Sequence, residues 1–179
     1  SDLAEGLIGA WATVSGGAAL AAYSASVGVY AADLPVQTLS ALGPSTITNN
    51  PGSVASITEV GSSDGISLAD DPTRIALLSQ QVGTNAAVSM GGKTLVASGV
   101  EIANGGASLT LGDASGDGTL TAASNVLYLA NANAAGGAAL TVNASVANNG
   151  GTAALVSKAG PGDVVLAGPL SHSGGTVIG

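Results

Sequence analysis

One short unit decides the fold of this chain, and its clearest copy reads Gly136-Gly137-Ala138-Ala139-Leu140-Thr141-Val142. A glycine pair precedes a run in which aliphatic residues alternate with a threonine. Glycine adopts the positive φ of a tight corner at no steric cost, and an alternation of this kind is typical of a strand with one face turned inward. The unit therefore predicts a corner followed by a strand.

The unit recurs through the second half of the sequence. Further copies are Gly91-Gly92-Lys93-Thr94-Leu95-Val96, Gly105-Gly106-Ala107-Ser108-Leu109-Thr110-Leu111, Gly116-Asp117-Gly118-Thr119-Leu120-Thr121, Gly150-Gly151-Thr152-Ala153-Ala154-Leu155-Val156 and Gly174-Gly175-Thr176-Val177-Ile178. No run in this region keeps the 3.6-residue spacing of a helix. One short strand cannot bury its apolar face, whereas coils stacked about 4.8 Å apart share a continuous core. We therefore predict an all-β fold, a parallel β-solenoid.

The first part of the chain is less regular. Prolines interrupt it, and strand candidates lie between them at residues 36–42, 54–60 and 74–82. Residues 18–23 are the one segment with some helical potential. Solenoids need atypical ends that protect the outermost strands. We predict that residues 1–75 form an irregular N-terminal capping segment, continuous with solenoid repeats over residues 76–179.

The charge balance excludes several classes of partner. Charged residues make up 8% of the chain and the net charge is −8, whereas roughly 25% is ordinary for soluble domains. Only Arg74, Lys93 and Lys158 are basic, so little can neutralise a phosphate backbone. We expect no nucleic-acid partner and no attraction to an anionic membrane surface. The absence of cysteine excludes disulfides and thiolate metal sites.

An uncharged stretch over residues 6–32 raises the question of a membrane segment. Its serine and glycine residues dilute the apolar character below that of a spanning helix, so we expect no membrane insertion. Asp2 and Glu5 precede it without any Lys or Arg, which is unlike a secretory signal. If the protein is exported, we expect its signal upstream of Ser1 or already removed.

The C-terminal part carries an ordered set of motifs. Lys158-Ala159-Gly160-Pro161-Gly162 leads into Val164-Val165-Leu166 and then into Gly174-Gly175-Thr176. This order resembles the autotransporter-associated (passenger-associated) β-strand repeat, and Leu7-Ile8-Gly9-Ala10-Trp11-Ala12-Thr13-Val14 is similar to a stretch upstream of such repeats in very large bacterial proteins. The resemblance implies a right-handed parallel β-helix in an exported passenger, extracellular or on the bacterial cell surface. It also implies that residue 179 falls inside a repeat.

The sharpest local motif is Asp113-Ala114-Ser115-Gly116-Asp117-Gly118. Oxygen donors at Asp113, Ser115 and Asp117, followed by a glycine, resemble the start of a calcium loop. The twelfth position is Ser124 rather than the bidentate glutamate of such loops. A polar glycine turn between two coils is therefore the alternative interpretation. Calcium at this loop is the only cofactor that the sequence suggests.

Catalytic machinery is sparse in the sequence. His172 is the only histidine and has no Gly-x-Ser-x-Gly elbow beside it. Glycoside hydrolysis needs two carboxyl groups across one cleft, and the candidates for such a pair are Asp64, Asp70, Asp71, Asp113 and Asp117. The chain offers few aromatic platforms for sugar rings, with one Trp and three Tyr. Trp11 could contact a sugar or a partner surface. Alternatively, because its ring is large, it closes the apolar end of the solenoid near the cap.

The sequence thus predicts a non-enzymatic structural module of a large secreted bacterial surface protein, which forms a stiff stalk, filament or sheath. We expect its partners to be copies of itself, in a homo-oligomer or fibre, or further repeats of the same parent chain. An adhesin or carbohydrate-binding passenger module that contacts glycans or a cell surface is the alternative. A polysaccharide-active β-helix enzyme is the second alternative.

Overall fold

The computed structural model describes residues 13–14, 19–24, 28–31, 34–40, 44–59 and 65–179. All regular structure in these residues is β-strand, which confirms the all-β prediction. The described ranges contain no helix, and hence none long and apolar enough to cross a membrane.

Three strands near the N-terminus form a small antiparallel sheet in the order β1 (Thr13–Val14), β2 (Ala19–Ser24) and β3 (Gly28–Ala31). The helical potential noted for residues 18–23 is not realised over residues 19–23, because β2 pairs with β1 on one side and with β3 on the other. Alanine has high helix propensity, but pairing with neighbouring strands overrides it here. Residue 18 lies outside the described residues.

All the other strands are parallel and lie in two sheets. The first sheet consists of β4 (Val36–Ser40), β6 (Val54–Glu59), β8 (Thr73–Gln80), β10 (Thr94–Ile102), β12 (Thr119–Ala122), β13 (Val126–Asn131), β15 (Ser145–Ala147), β16 (Leu155–Ala159) and β18 (Thr176–Ile178). The second sheet consists of β5 (Ser45–Ile47), β7 (Ile66–Leu68), β9 (Ala86–Ser89), β11 (Leu109–Leu111), β14 (Leu140–Val142) and β17 (Val164–Leu166). The chain alternates between them, and we call each passage through both sheets a tier. Parallel strands stacked in this way are compatible with the predicted β-solenoid.

Pairing between tiers is parallel, with a register shift between Leu39 and Ser40 where β4 pairs with β6. The strand partners divide once, at the long strand β10, which pairs with β8 from Leu95 to Ile102 except at Ser98. On its other side, its first half pairs with β12 and its second half with β13. From there the two columns continue separately, through β15 to a bridge at Leu170 and through β16 to β18. Later tiers therefore have an additional corner in the first sheet.

The core lies between the sheets and is built from aliphatic side chains. In β10 the core residues are Leu95, Ala97, Val100 and Ile102. The alternation shifts by one residue after Ala97, where the pairing of β10 with β8 also skips a residue. Burial of each large aliphatic side chain stabilises the fold by about 1.5–3 kcal/mol.

Glycines with positive φ occur in each predicted corner, namely at Gly91, Gly105, Gly116, Gly136, Gly150 and Gly175. A strand follows every one of them, as the repeat unit predicted. At Gly118 the requirement is also steric, since an added Cβ would lie 2.5 Å from the Cβ of Met90. The three strand candidates of the first part correspond to β4, β6 and β8.

The stacked parallel strands begin at Val36, because β4 pairs with β6 and β6 pairs with β8. The predicted division between residues 75 and 76 therefore falls within β8, and the domain organisation stays a prediction.

Candidate functional site

The predicted calcium loop connects β11 to β12 at a corner between the two sheets. The Asp117 carboxylate accepts hydrogen bonds from three backbone N–H groups, those of Gly92 (3.0 Å), Asp113 (2.9 Å) and Met90 (3.2 Å). The bonds from Asp113 and Gly92, with smaller contributions from Met90 and Gly91, lower the pKa of Asp117, while burial acts in the opposite direction. Because Met90 and Gly92 belong to the preceding tier, this carboxylate ties two successive corners together.

The other two predicted ligands point to other protein groups. Asp113 Oδ2 accepts a hydrogen bond from the Ser89 hydroxyl at 2.6 Å. The Ser115 hydroxyl donates to the carbonyl of Ala167 in the next tier at 3.1 Å. Within the described part of the chain, no group of three or more His, Cys, Asp or Glu residues is arranged to hold a metal ion. Calcium binding at Asp113, Ser115 and Asp117 stays a prediction.

Hydrogen bonds of the same kind link the tiers above and below this loop. Asn49 Oδ1 accepts from the N–H of Arg74, and Asp71 Oδ1 accepts from the N–H of Thr94, each at 2.9 Å. We call the side chains that make these inter-tier bonds the corner ladder, and its members are Asn49, Asp71, Lys93, Asp117 and Asn143. Bonds of this type contribute about 0.5–1.5 kcal/mol each, and more when one partner is charged.

Lys93 shows how the corner ladder uses a charged side chain. Its Nζ donates to the carbonyl oxygens of Leu68 (2.7 Å) and Ala69 (3.1 Å) in the preceding tier. Asn143 likewise donates from Nδ2 to the Gly112 carbonyl at 2.9 Å. The members of the corner ladder therefore bind backbone groups of neighbouring tiers.

A second polar column lies at the opposite corner and centres on Asn131, which is fully buried. Its Nδ2 donates to the carbonyls of Ala138 (2.7 Å) and Asp163 (2.9 Å), and its Oδ1 accepts from the N–H of Asn133 (3.2 Å). Gly162 packs directly on it, since an added Cβ would lie 2.5 Å from Asn131 Oδ1. The turn Lys158-Ala159-Gly160-Pro161-Gly162 therefore packs against a buried asparagine of the preceding tier.

Glu101 is a functional candidate that the sequence prediction missed. It lies in β10, is only 4% exposed, and accepts a 2.8 Å hydrogen bond from the buried Ser79 hydroxyl in β8. Burial raises its pKa to about 7, and the hydrogen bond from Ser79 partly counteracts the rise. Among the residues whose burial the structure describes, it is the one buried carboxylate. In the sequence, the feature that could have identified it is a single acidic residue between the aliphatic residues Val100 and Ile102.

The remaining candidates are dispersed. His172 is half-buried, and its Nε2 lies 3.1 Å from the Thr176 hydroxyl. Asp70 takes part in a local turn, in which its carbonyl accepts a bond from the Thr73 hydroxyl at 2.8 Å. Asp64 and Trp11 lie outside the described residues, so the predicted contact role of Trp11 is unchanged.

The two ends of the stacked sheets differ in exposure. We define the proximal edge as β4 and β5, and the distal edge as β17, Leu170 and β18. At the proximal edge the core side chains of Leu39 and Ile47 are 2% and 0% exposed, whereas Val36 is 60% exposed. At the distal edge Leu170 and Val177 are each 53% exposed and Ile178 is 77% exposed.

Comparison with known proteins adds no relative. No family model matches the chain, and neither a curated protein nor a solved structure matches it.

Proposed function

We propose that this chain is a structural module of a large secreted bacterial surface protein of the autotransporter-associated repeat type. In this proposal the stacked strands form a right-handed parallel β-helix, and the module acts outside the cell or on its surface as part of a stiff stalk, filament or sheath. The observation that supports it is the continuous series of parallel strand pairings from β4 to β18.

The mechanism is mechanical. Strands of successive tiers are joined by backbone hydrogen bonds that run along the direction of stacking, and the corner ladder adds side-chain bonds between the same tiers. Bending such a stack requires many of these bonds to stretch together.

Electron microscopy of the natively isolated parent protein, with an antibody against this chain as a label, tests the proposal. We expect labelled rods or filaments of constant width. Labelled particles that are compact in every view would overturn the structural role. Rods that bind glycan arrays through this labelled region would favour the adhesive alternative over a purely structural module.

A further inference from the structure

Three strands of the first sheet bury side chains on the side that faces away from the core. In β8, Leu78 belongs to the core between the sheets, so Leu77 and Ser79 point to the opposite side, because successive side chains along a strand alternate. Both are nevertheless buried, and so is Glu101, which pairs with Ser79 from β10. We call this surface of β6, β8 and β10 the outer face, and its members are Val54, Ser56, Leu77, Ser79, Gly99 and Glu101.

Neighbouring strands alone do not account for the burial of the outer face. Tyr128 in β13 continues the column of Leu77, and Ala130 continues the column of Glu101. β13 also lies between two strands, yet Tyr128 and Ala130 are only half-buried. On the other side, in β4, Val36 is 60% exposed. A further segment therefore covers β6, β8 and β10, and this cover ends before β4 and β13.

The cover belongs to the same chain, because the outer face is buried in a single copy of the protein. The Gln81 side chain reaches Ser79 Oγ at 3.3 Å, but it follows the end of β8 and covers one corner of the face. Residues 41–43 and 60–64 each join a strand of the first sheet to a strand of the second, so their length is used in crossing between the sheets. Residues 1–33 are long enough to cover three strands, and they lead directly into β4 beside the outer face.

We propose that the small antiparallel sheet β1–β3 packs against the outer face and supplies its cover. Small sheets are stable only when one side packs against another surface. The three strands of this sheet match the width of the three covered strands, because neighbouring strands are about 4.8 Å apart in any sheet. Sheets packed face to face in this way lie about 10 Å apart, and their side chains interdigitate.

The composition of the N-terminal part suits both the apolar and the polar side chains of the outer face. Residues 6–32 are uncharged and rich in alanine, so they can cover Leu77 without burying a charge of their own. Residues 1–33 contain no Lys, Arg or His, so the cover brings no cation to Glu101. This agrees with a carboxyl group that accepts a hydrogen bond from Ser79 and whose pKa is raised to about 7 by burial.

This inference goes beyond the proposed function and does not depend on it, since the same packing holds in a module that forms no rod. It places the N-terminal sheet beside the stack of tiers. The outer face is then closed to other molecules, and lateral contacts of a filament or sheath fall on other sides of the stack.

Nuclear Overhauser measurements on the full chain of 179 residues test the contact directly. We expect cross-peaks between the methyl groups of Leu77 and protons of β1, β2 or β3, and none between these strands and the core residue Leu111. Cross-peaks from Leu77 to residues 41–43 or 60–64 instead would overturn the proposal. Cross-peaks that arise only between differently labelled copies would also overturn it, because a second molecule would then be the cover.

A matched pair of charged substitutions tests whether the outer face holds the N-terminal sheet in place. Leu77→Asp puts a charge beneath the cover, and we expect the amides of β2 and β3 to exchange at least about tenfold faster than in the wild type. Tyr128→Asp puts the same charge in the same column but beyond the covered strands, and it should leave this exchange unchanged. Slow exchange of the β11 amides in both variants checks that the stack stays folded.

Two results of the exchange experiment would contradict the packing of β1–β3 on the outer face. One is equal exchange of the β2 and β3 amides in the wild type and in a folded Leu77→Asp variant. The other is exchange of these amides in the wild type at the rate of an unstructured peptide. The cross-peaks of Leu77 are measured on the wild type, so they test the proposal even if Leu77→Asp unfolds the stack.

Discussion

Leu111 and Leu166 are the same residue type in the same column of the second sheet, where Leu111 pairs with Val142 and Val142 pairs with Leu166. Leu111 is fully buried, whereas Leu166 is half-buried. The two differ in their neighbours, because β11 lies between β9 and β14 while β17 has only β14. In this column a tier on each side completes the burial of the leucine, and a repeat unit is stabilised by the units that adjoin it.

The largest effect should come from truncating these two leucines. Leu111→Ala leaves a cavity between two occupied tiers, and we expect it to lower the free energy of unfolding by about 2–5 kcal/mol. Leu166→Ala removes a side chain that is already partly in water, and we expect a loss of less than about 1.5 kcal/mol. Urea denaturation of both variants measures the difference, and equal losses would show that the distal tier is as well packed as the interior.

Two corner glycines extend the comparison to the backbone. Gly118 has φ 71° and a crowded Cβ position, whereas Gly175 has φ 85° and nothing within 4 Å. We expect Gly118→Ala to cost about 2–4 kcal/mol from backbone strain and overpacking together. Gly175→Ala should cost only the strain of about 1–2 kcal/mol. Thermal unfolding of the two variants measures this, and the reverse order would contradict the close packing of the interior corner.

Glu101 makes the interior of the first sheet sensitive to pH. Its pKa is raised from 4.5 to about 7, so the folded state binds its proton more tightly than the unfolded chain does. Its contribution to stability is thus complete below about pH 4.5 and declines as the pH rises to about 7. We expect Glu101→Gln to match the wild type near pH 4 and to exceed it above pH 7 by about 1–3 kcal/mol.

Denaturant titrations of wild type and Glu101→Gln across this pH range provide the measurement. Ser79→Ala is the matched control, because it removes the hydrogen bond to the carboxyl but leaves the titrating group in place. A difference between wild type and Glu101→Gln that does not vary with pH would contradict burial of an ionisable carboxyl at this position.

The smallest effect should come from the corner ladder. Asp117→Asn keeps the shape of the side chain but weakens its acceptance of backbone N–H groups, and we expect a loss of about 1 kcal/mol at neutral pH. The pKa of Asp117 is lowered, so the stability it provides is present above its unfolded pKa and is lost as the pH falls through the folded pKa. Unfolding midpoints that differ equally at neutral and strongly acidic pH would contradict this role.

The same variant tests the calcium prediction. If Asp113, Ser115 and Asp117 bind calcium, the ion should raise the unfolding midpoint of the wild type and leave that of Asp117→Asn unchanged. A wild-type midpoint that is insensitive to both calcium and chelator would reject the calcium loop and leave the polar glycine turn.

The sequence predicted the local features well, because corner and strand are properties of a short segment. The corner at Gly136 and the strand that begins at Leu140 could be predicted because they require only a positive φ and an alternation of apolar residues. The contacts between tiers could not be predicted from the sequence. Asp117 binds the backbone of Gly92, 25 residues earlier, and β10 pairs with two different strands on one side. Such pairings depend on the length of each tier, which varies from one to the next.

The candidate site shows the same limit. Glu101 is buried because β8 and β13 lie on either side of it, and nothing within its own strand reveals those neighbours. Residues 19–23 form a strand rather than a helix for a related reason, because pairing with β1 and β3 determines their conformation. Asp113, Ser115 and Asp117 lie in the corner between β11 and β12, but their partners in the neighbouring tiers could not be derived from spacing, and calcium binding by them stays a prediction.

Residue-resolved amide hydrogen exchange tests most directly whether neighbouring tiers stabilise each strand. Wild-type protein at low concentration is the sample. We predict slow exchange for the hydrogen-bonded amides of β10 and β11, and exchange faster by at least about tenfold for those of β17 and β18, each of which pairs with one strand. Uniformly slow exchange from β10 to β18 would contradict the account, because it would mean that a strand needs no neighbour on its outer side.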